Sequence, residues 1–169
     1  PYRKPRMYLL IVSLVSVSPD NKFHGSTDTT IKPKTNGYVR LAEIRDAVTS
    51  LFQLRAIGMV AIENYSFASK FQTHQMGELG GVVRLALSET LQAPFLLVPP
   101  QTLKQFVCGK GNAKKDEMLL GVYKRWGQSY SDNNQADAFA LAAFAAAYLG
   151  REWWRLSEQD KHCLTKCSL

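Results

Sequence analysis

The chain has 169 residues, 46% of them apolar and 21% charged. This excludes a disordered polypeptide and gives room for one globular domain, burying roughly 70% of the surface that its unfolded chain exposes. Twenty-one Lys and Arg against fourteen Asp and Glu leave a formal net charge of +7, the balance of a protein that meets an anionic partner.

Arg3, Lys4 and Arg6 precede an apolar run from Met7 to Ser18. The run is too short to cross a bilayer, which takes about 20 apolar residues. A basic start and an apolar stretch have the form of a secretory signal. Yet Ser18-Pro19-Asp20-Asn21 follows in place of a small-x-small cleavage site, and β-branched residues mixed with serine suit a buried strand ending in a turn. The strand is the reading taken. A start at Pro1 without methionine reads as a fragment or a processed product.

The polar stretch that follows has room for two short antiparallel strands, residues 22–24 and 29–32. Residues 39–54 read as a helix, because Leu41, Ile44, Val48, Leu51 and Phe52 recur at three and four. Gly58 opens a compact apolar strand, residues 59–62, that runs straight into Glu63. A second helix covers 77–89, where Gly80-Gly81 allows close backbone approach. Residues 95–98 form a buried strand stopped by Pro99-Pro100, with a loop after it. A third helix starts at Ala113 or Lys114 and ends at Trp126. A fourth, rich in alanine, covers 135–149 with Gly150 as its stop, and its small side chains let it lie close to a sheet. With no linker or repeat, residues 1–169 read as a single domain, α/β or α+β with a mixed sheet.

Three features carry chemistry. Glu63 stands at the C-terminal end of a buried strand, the edge where open α/β sheets bind ligands and metals; a strand meeting water there ends in a carboxylate just as well. Asp137 lies among alanines in the first turn of its helix, facing inwards or into a cleft. Capping is the competing use of an acid there, and Asp132 or Asn134 serves it better. The stretch 101–125 carries Lys104, Lys110, Lys114, Lys115, Lys124 and Arg125. Its glycine spacing is not that of a Walker A loop, but backbone N–H groups and lysines around a helix start suit a phosphate. A solvated helix face is the plainer reading of such a run; the net charge and the carboxylates elsewhere favour DNA or RNA. Three cysteines, Cys108, Cys163 and Cys167, are too few for a disulfide framework and indicate a reducing compartment. Cys163-x-x-x-Cys167 beside His162 lacks the second ligand pair of a metal site, and Trp153-Trp154 reads as packing for the terminal segment.

Five stretches, in order and spacing, resemble the RuvC-type Holliday junction resolvases of the RNase H-like nuclease superfamily, particularly their phage-encoded branch. They are Val60-Ala61-Ile62-Glu63-Asn64-Tyr65-Ser66-Phe67, Gly77 to Leu85, Pro99-Pro100-Gln101-Thr102-Leu103-Lys104, Gly109 to Met118, and Asn134-Gln135-Ala136-Asp137-Ala138-Phe139-Ala140-Leu141. The resemblance implies a mixed five-stranded sheet flanked by helices, a homodimer, and Mg²⁺- or Mn²⁺-dependent hydrolysis of phosphodiesters at branched DNA such as a four-way junction. It places the protein in the cytoplasm of a bacterial or phage-infected cell, away from membranes. It implies Glu63 and Asp137 as catalytic metal ligands, with Asn134 standing where the family has an acid or histidine and Asp132 close by. Lys115 is implied as catalytic, and with Lys104 it lies near the scissile phosphate or the DNA backbone. Lys110 and Lys114 extend that DNA surface, and Tyr65 and Phe67 fall where the family places an aromatic near the junction centre; core packing is the alternative for both.

The family's first strand ends in a catalytic Asp, and two alignments are open here. If residues 7–12 are that strand, Ser13 takes the Asp position. If residues 9–18 are the second strand, entering the Pro19-Asp20-Asn21 turn, the first strand is truncated or altered; the turn spacing favours this. Neither alignment supplies the Asp. The reading is therefore a junction-resolving endonuclease, with a catalytically impaired branched-DNA-binding protein on the same fold as the alternative.

Overall fold

A computed structural model describes residues 10–17, 20, 22–31, 37–53, 57–64, 73–91 and 95–167. The elements in chain order are β1 (Leu10–Val17), β2 (Phe23–Ile31), α1 (Gly37–Gln53), β3 (Ala61–Glu63), α2 (Thr73–Leu91), β4 (Leu96–Val98), α3 (Pro100–Cys108), α4 (Lys115–Trp126), α5 (Asn133–Tyr148) and α6 (Glu158–Leu164). They fall into two compact units: residues 1–11, 30–58 and 67–94 in the first, and 12–29, 59–66 and 95–169 in the second.

The first unit is a helix pair. α1 buries Leu41, Ile44, Val48 and Phe52, the three-and-four stripe expected of one apolar face. It packs against α2, which supplies Leu79, Val83, Ala86 and Leu87. Gly81 does not make the close approach expected of the Gly80-Gly81 step. A Cβ at Gly81 would meet nothing within 4 Å, because Gly81 sits on the exposed side of α2.

β1 and β2 pair as one two-stranded sheet and β3 and β4 as another, so the strands among the described residues form two pairs. β1 runs through Ser13 without a break. Ser13 therefore lies inside a strand and not just after one. β2 replaces the two short strands expected from the sequence with one of nine residues. Ser26, Thr27, Thr29 and Thr30 are polar yet fit a pleated strand, and neither proline nor a turn pair interrupts them.

β3 and β4 are parallel, in the register Ala61↔Leu96, Ile62↔Leu97 and Glu63↔Val98. The ladder extends one step further, where Asn64 N–H donates to the Val98 carbonyl at 2.8 Å. After β4 the expected loop is instead α3, with Pro100 in its first turn. Proline is favoured there, since the N–H it lacks would have no helical partner. α3 ends at Gly109, whose φ of +79° is left-handed and suits glycine.

α3, α4, α5 and α6 surround one core that includes Leu96, Val98, Leu103, Phe106, Val122, Phe139, Phe144 and Cys163. The alanines of α5 bury Ala136, Ala140 and Ala143 completely and let that helix lie against β3. The close glycine is Gly121 on α4, where a Cβ would stand 2.8 Å from Val107 Cγ1 and 3.0 Å from Cys108 Sγ. Trp153 and Trp154 close the core as expected: Trp153 stacks on Phe23 with centroids 4.6 Å apart, and Trp154 meets Trp126 edge-on at 5.3 Å. No helix among the described residues is long and apolar enough to cross a membrane.

Candidate nuclease site

Parallel pairing brings the C-terminal ends of β3 and β4 to one edge. Glu63 is the last residue of β3, and two residues beyond Val98 the chain turns into α3, which carries Lys104. α5 packs on β3 and delivers Asp137 to the same place. Glu63 keeps an exposed side, yet the protein around it raises its pKa, first by burial and then by repulsion from Asp137, with Lys104 opposing. Asp137 is likewise raised by burial; Lys104 and Lys115 pull it down and Asp132 pushes it up.

The four groups form one electrostatic unit of two mutually repelling carboxylates and two lysines. Asp137 Oδ1 is buried and accepts no hydrogen bond. Burying a carboxylate oxygen without a partner is costly unless a cation or donor meets it.

Asp137 does not lie in the first turn of its helix. α5 begins at Asn133 with Asp132 as its N-cap, which puts Asp137 one turn further in and frees it from capping. Asp132 and Asn134 are engaged with each other: Asp132 Oδ1 accepts from Asn134 N–H at 2.9 Å and from Asn134 Nδ2 at 3.1 Å. Among the described residues no group of three or more His, Cys, Asp and Glu is arranged to hold a metal ion, so the acids nearest to that chemistry are a pair, Glu63 and Asp137. Mg²⁺ suits such a pair, because it keeps several waters and commonly takes only one or two protein carboxylates, with substrate phosphate completing its shell. The orphaned oxygen of Asp137 and the repulsion between the two acids are what a divalent cation would relieve.

The lysines divide into two kinds. Lys115 is exposed at the start of α4, beside Lys114, and Lys104 is half-buried on α3; Lys104 and Lys115 are the two that act on Asp137. Lys110 instead forms an ion pair with Glu117 at 2.5 Å, and the same carboxylate accepts Lys114 N–H at 2.7 Å. Glu117 therefore holds residues 110–114 against α4, and these bonds keep its carboxyl below the ordinary glutamate range. The sequence signal for this role is a glutamate three residues after the N-cap. Tyr65 and Phe67 lie outside the described residues. The cysteine pair near the C-terminus is part of the packing: Cys163 is buried, Cys167 Sγ donates to its carbonyl at 3.8 Å, and burial first, then Cys163, push the Cys167 thiol up to about 11.

A family model described as "Crossover junction endodeoxyribonuclease RuvC" matches residues 22–144. The chain belongs to the RuvC family. A RuvC protein of Prochlorococcus marinus is 31% identical over 116 residues, covering 66% of this chain and 74% of the relative. One from Chlamydia trachomatis serovar L2 is 28% identical over 148 residues, covering 79% and 83%. Among solved structures, Thermus thermophilus RuvC superposes with a TM-score of 0.66 at 23% identity, over 87% of this chain and 93% of that one. The same protein in complex with Holliday junction substrate gives 0.62 at 22% identity, over 83% and 96%. The α/β, RNase H-like fold expected of the RuvC resemblance is the fold of this chain. The family match takes in Glu63, Lys104, Lys115 and Asp137, and stops short of α6.

Proposed function

We propose that this chain acts on four-way DNA junctions as a metal-dependent endonuclease, with Glu63 and Asp137 as the carboxylates that hold Mg²⁺ or Mn²⁺. The observation that carries this reading is the repelling Glu63–Asp137 pair with an unpartnered Asp137 oxygen, within the electrostatic reach of Lys104 and, at Asp137, of Lys115. A divalent cation bound there supplies Lewis acidity toward a phosphodiester and a lowered pKa for bound water.

The chain's own residues do the rest. Lys104 and Lys115 draw the DNA backbone to the carboxylates, offsetting phosphate charge that the acids alone would repel. Lys114 and the backbone N–H groups beside it extend that contact at the α4 start, where the helix dipole favours an anion. Lys104 opposes the upward pull on the pKa of both carboxyls, and Lys115 opposes it at Asp137. Lys115 is assigned to catalysis through its place at the scissile phosphate, and Tyr65 and Phe67 to contacts with the junction centre. We further propose a homodimer built on residues 1–169 as one nuclease domain, in the cytoplasm of a bacterial or phage-infected cell, within the phage-encoded branch of the family.

A second reading keeps the junction binding and loses the cleavage. It is favoured by Asn134, a neutral side chain at the position three residues before Asp137 where the family carries an acid or a histidine, and one already bonded to Asp132. Both readings meet one experiment: the purified chain with a synthetic four-way junction and a linear duplex, in Mg²⁺, Mn²⁺ or EDTA, beside Glu63→Gln. Symmetric nicks that need metal and vanish in Glu63→Gln establish the endonuclease. Junction-selective binding in EDTA without nicks under any metal establishes the binder. Equal affinity for junction and duplex overturns both.

A further inference from the structure

We infer that α6 is a brace that seats the lysine-bearing loop 109–114 for DNA, with Gln159 as its positioning residue. The inference rests on the reading above that this loop meets the DNA backbone. Gln159 Nε2 donates to the Gly109 carbonyl at 2.6 Å. Gly109 is the left-handed joint by which the chain leaves α3 and enters the loop, so a bond to its carbonyl fixes the loop at its root. Lys166 Nζ, just past α6, donates to Gln105 Oε1 at 3.0 Å and secures the preceding turn of α3.

The brace is itself anchored. Asp160 is buried, accepts Ser157 N–H at 2.8 Å and pairs with Arg125 at 2.5 Å. The Arg125 guanidinium also donates to the Phe106 carbonyl and lies 4.8 Å from the centroid of the Phe106 ring. α6 is thereby tied to α3 and to the last turn of α4, the two helices that the loop joins. Glu117 holds the loop's other side through Lys110 and the Lys114 N–H.

The division of labour follows from burial. The Arg125–Asp160 pair joins a half-buried guanidinium to a buried carboxylate and holds the fold, whereas Gln159 is exposed and reaches a loop carbonyl. Removing the Gln159 donor therefore loosens the loop and leaves the core intact. Residues 158–167 lie beyond the stretch matched by the family model.

The test is Gln159→Met, which keeps the length of the side chain and removes its donor. Amide hydrogen exchange at residues 109–115 is expected to accelerate about fivefold, the worth of one hydrogen bond, with exchange in α5 unchanged. Affinity for a synthetic four-way junction is expected to fall by a similar factor in the otherwise unaltered chain. It is expected not to change when Gln159→Met is added to Lys114→Met/Lys115→Met, because the brace acts through those lysines. Unchanged exchange at 109–115 overturns the brace. Equal losses of affinity in both backgrounds overturn the coupling and make Gln159 an independent DNA contact. Absence of junction binding in the unaltered chain overturns the functional reading and the DNA half of the inference, while exchange still decides whether α6 seats the loop.

Discussion

Two aspartates near helix starts, Asp137 and Asp160, show how one side chain serves opposite ends. Asp160 is matched on every side: it caps α6 reciprocally with Ser157 and pairs with Arg125. Burial alone would raise its pKa, but the bonds from Arg125 and Ser157 outweigh that and hold it below the ordinary aspartate range. Asp137 has burial without the bonds. Its capping place is taken by Asp132, one oxygen has no partner, and its pKa is raised. A carboxylate that the fold satisfies is structural; one that the fold buries and leaves unsatisfied is available to something the chain does not itself supply.

The largest expected effect separates the two by function. Asp137→Asn should lower metal-dependent nicking of a four-way junction by about 10³-fold, since losing a metal ligand removes several kcal/mol of transition-state stabilisation. Asp160→Asn should leave the site chemistry intact and cost stability instead. Breaking a buried ion pair by removing one partner costs roughly 3–5 kcal/mol, and the aromatic rings and Phe106 carbonyl that still hold Arg125 place this case near about 3 kcal/mol. Urea unfolding of the two variants reads that difference, and a nicking loss in Asp160→Asn as large as in Asp137→Asn would erase the distinction.

The lysines give a smaller effect with its own signature. Lys104→Met and Lys115→Met should each weaken junction binding and lower the slope of log affinity against log salt by about 0.9, one phosphate contact each. Lys110→Met should change that slope less, because Lys110 is already paired with Glu117. Titrations of binding between about 50 and 200 mM salt decide it.

Much of this contrast is legible in the sequence, and its gaps have physical causes. Glu63 stands out because an apolar strand runs directly into an acid, and Asp137 because an acid among alanines has no surface reason to be there. The C-terminal end of the alanine-rich helix follows from Gly150, but its start is read too late, because Asp132 takes the N-cap and the polar residues after it are already helical. α3 is missed because Pro99-Pro100 reads as a stop, although proline begins a helix as readily as it ends a strand. β2 is split because its serine and threonines look like a loop until they pair with a neighbour. The close approach at Gly121 is missed and Gly81 does not make one, since backbone approach depends on which helix lies opposite and not on how many glycines adjoin. The satisfied state of Asp160 depends on Arg125, 35 residues away, and no local pattern announces it.

Acid should take the two aspartates apart in order. A divalent cation needs Glu63 and Asp137 ionised. Because both pKa values are raised, Mn²⁺ binding should fail on acidification above the range of ordinary carboxylates, about 4. Lys104→Met should move that loss to higher pH still. Asp160 behaves in the opposite way. Its folded pKa is depressed, so its contribution to stability is fully present above the unfolded value and is lost only as pH falls through the lower folded one. Metal affinity should therefore disappear while the fold still melts cooperatively. Mn²⁺ titrations and thermal melts on one pH series test this, and coincident loss of both would contradict it.

The smallest effect is the most discriminating, because its sign is opposite to that of most core substitutions. A carboxyl whose folded pKa lies above its unfolded value binds its proton more tightly in the folded state. When ionised at neutral pH it therefore costs stability, and the cost disappears below the unfolded pKa, where both states are protonated. Asp137→Asn removes the charge and should raise the melting temperature of the metal-free protein by about 1–4 °C at neutral pH. The gain should shrink to nothing as pH falls below the ordinary aspartate value. The substitution that abolishes nicking would thus stabilise the chain. A lower melting temperature for Asp137→Asn at neutral pH would mean that the fold already satisfies this carboxylate as it does Asp160, and would remove the physical ground for placing a cation there.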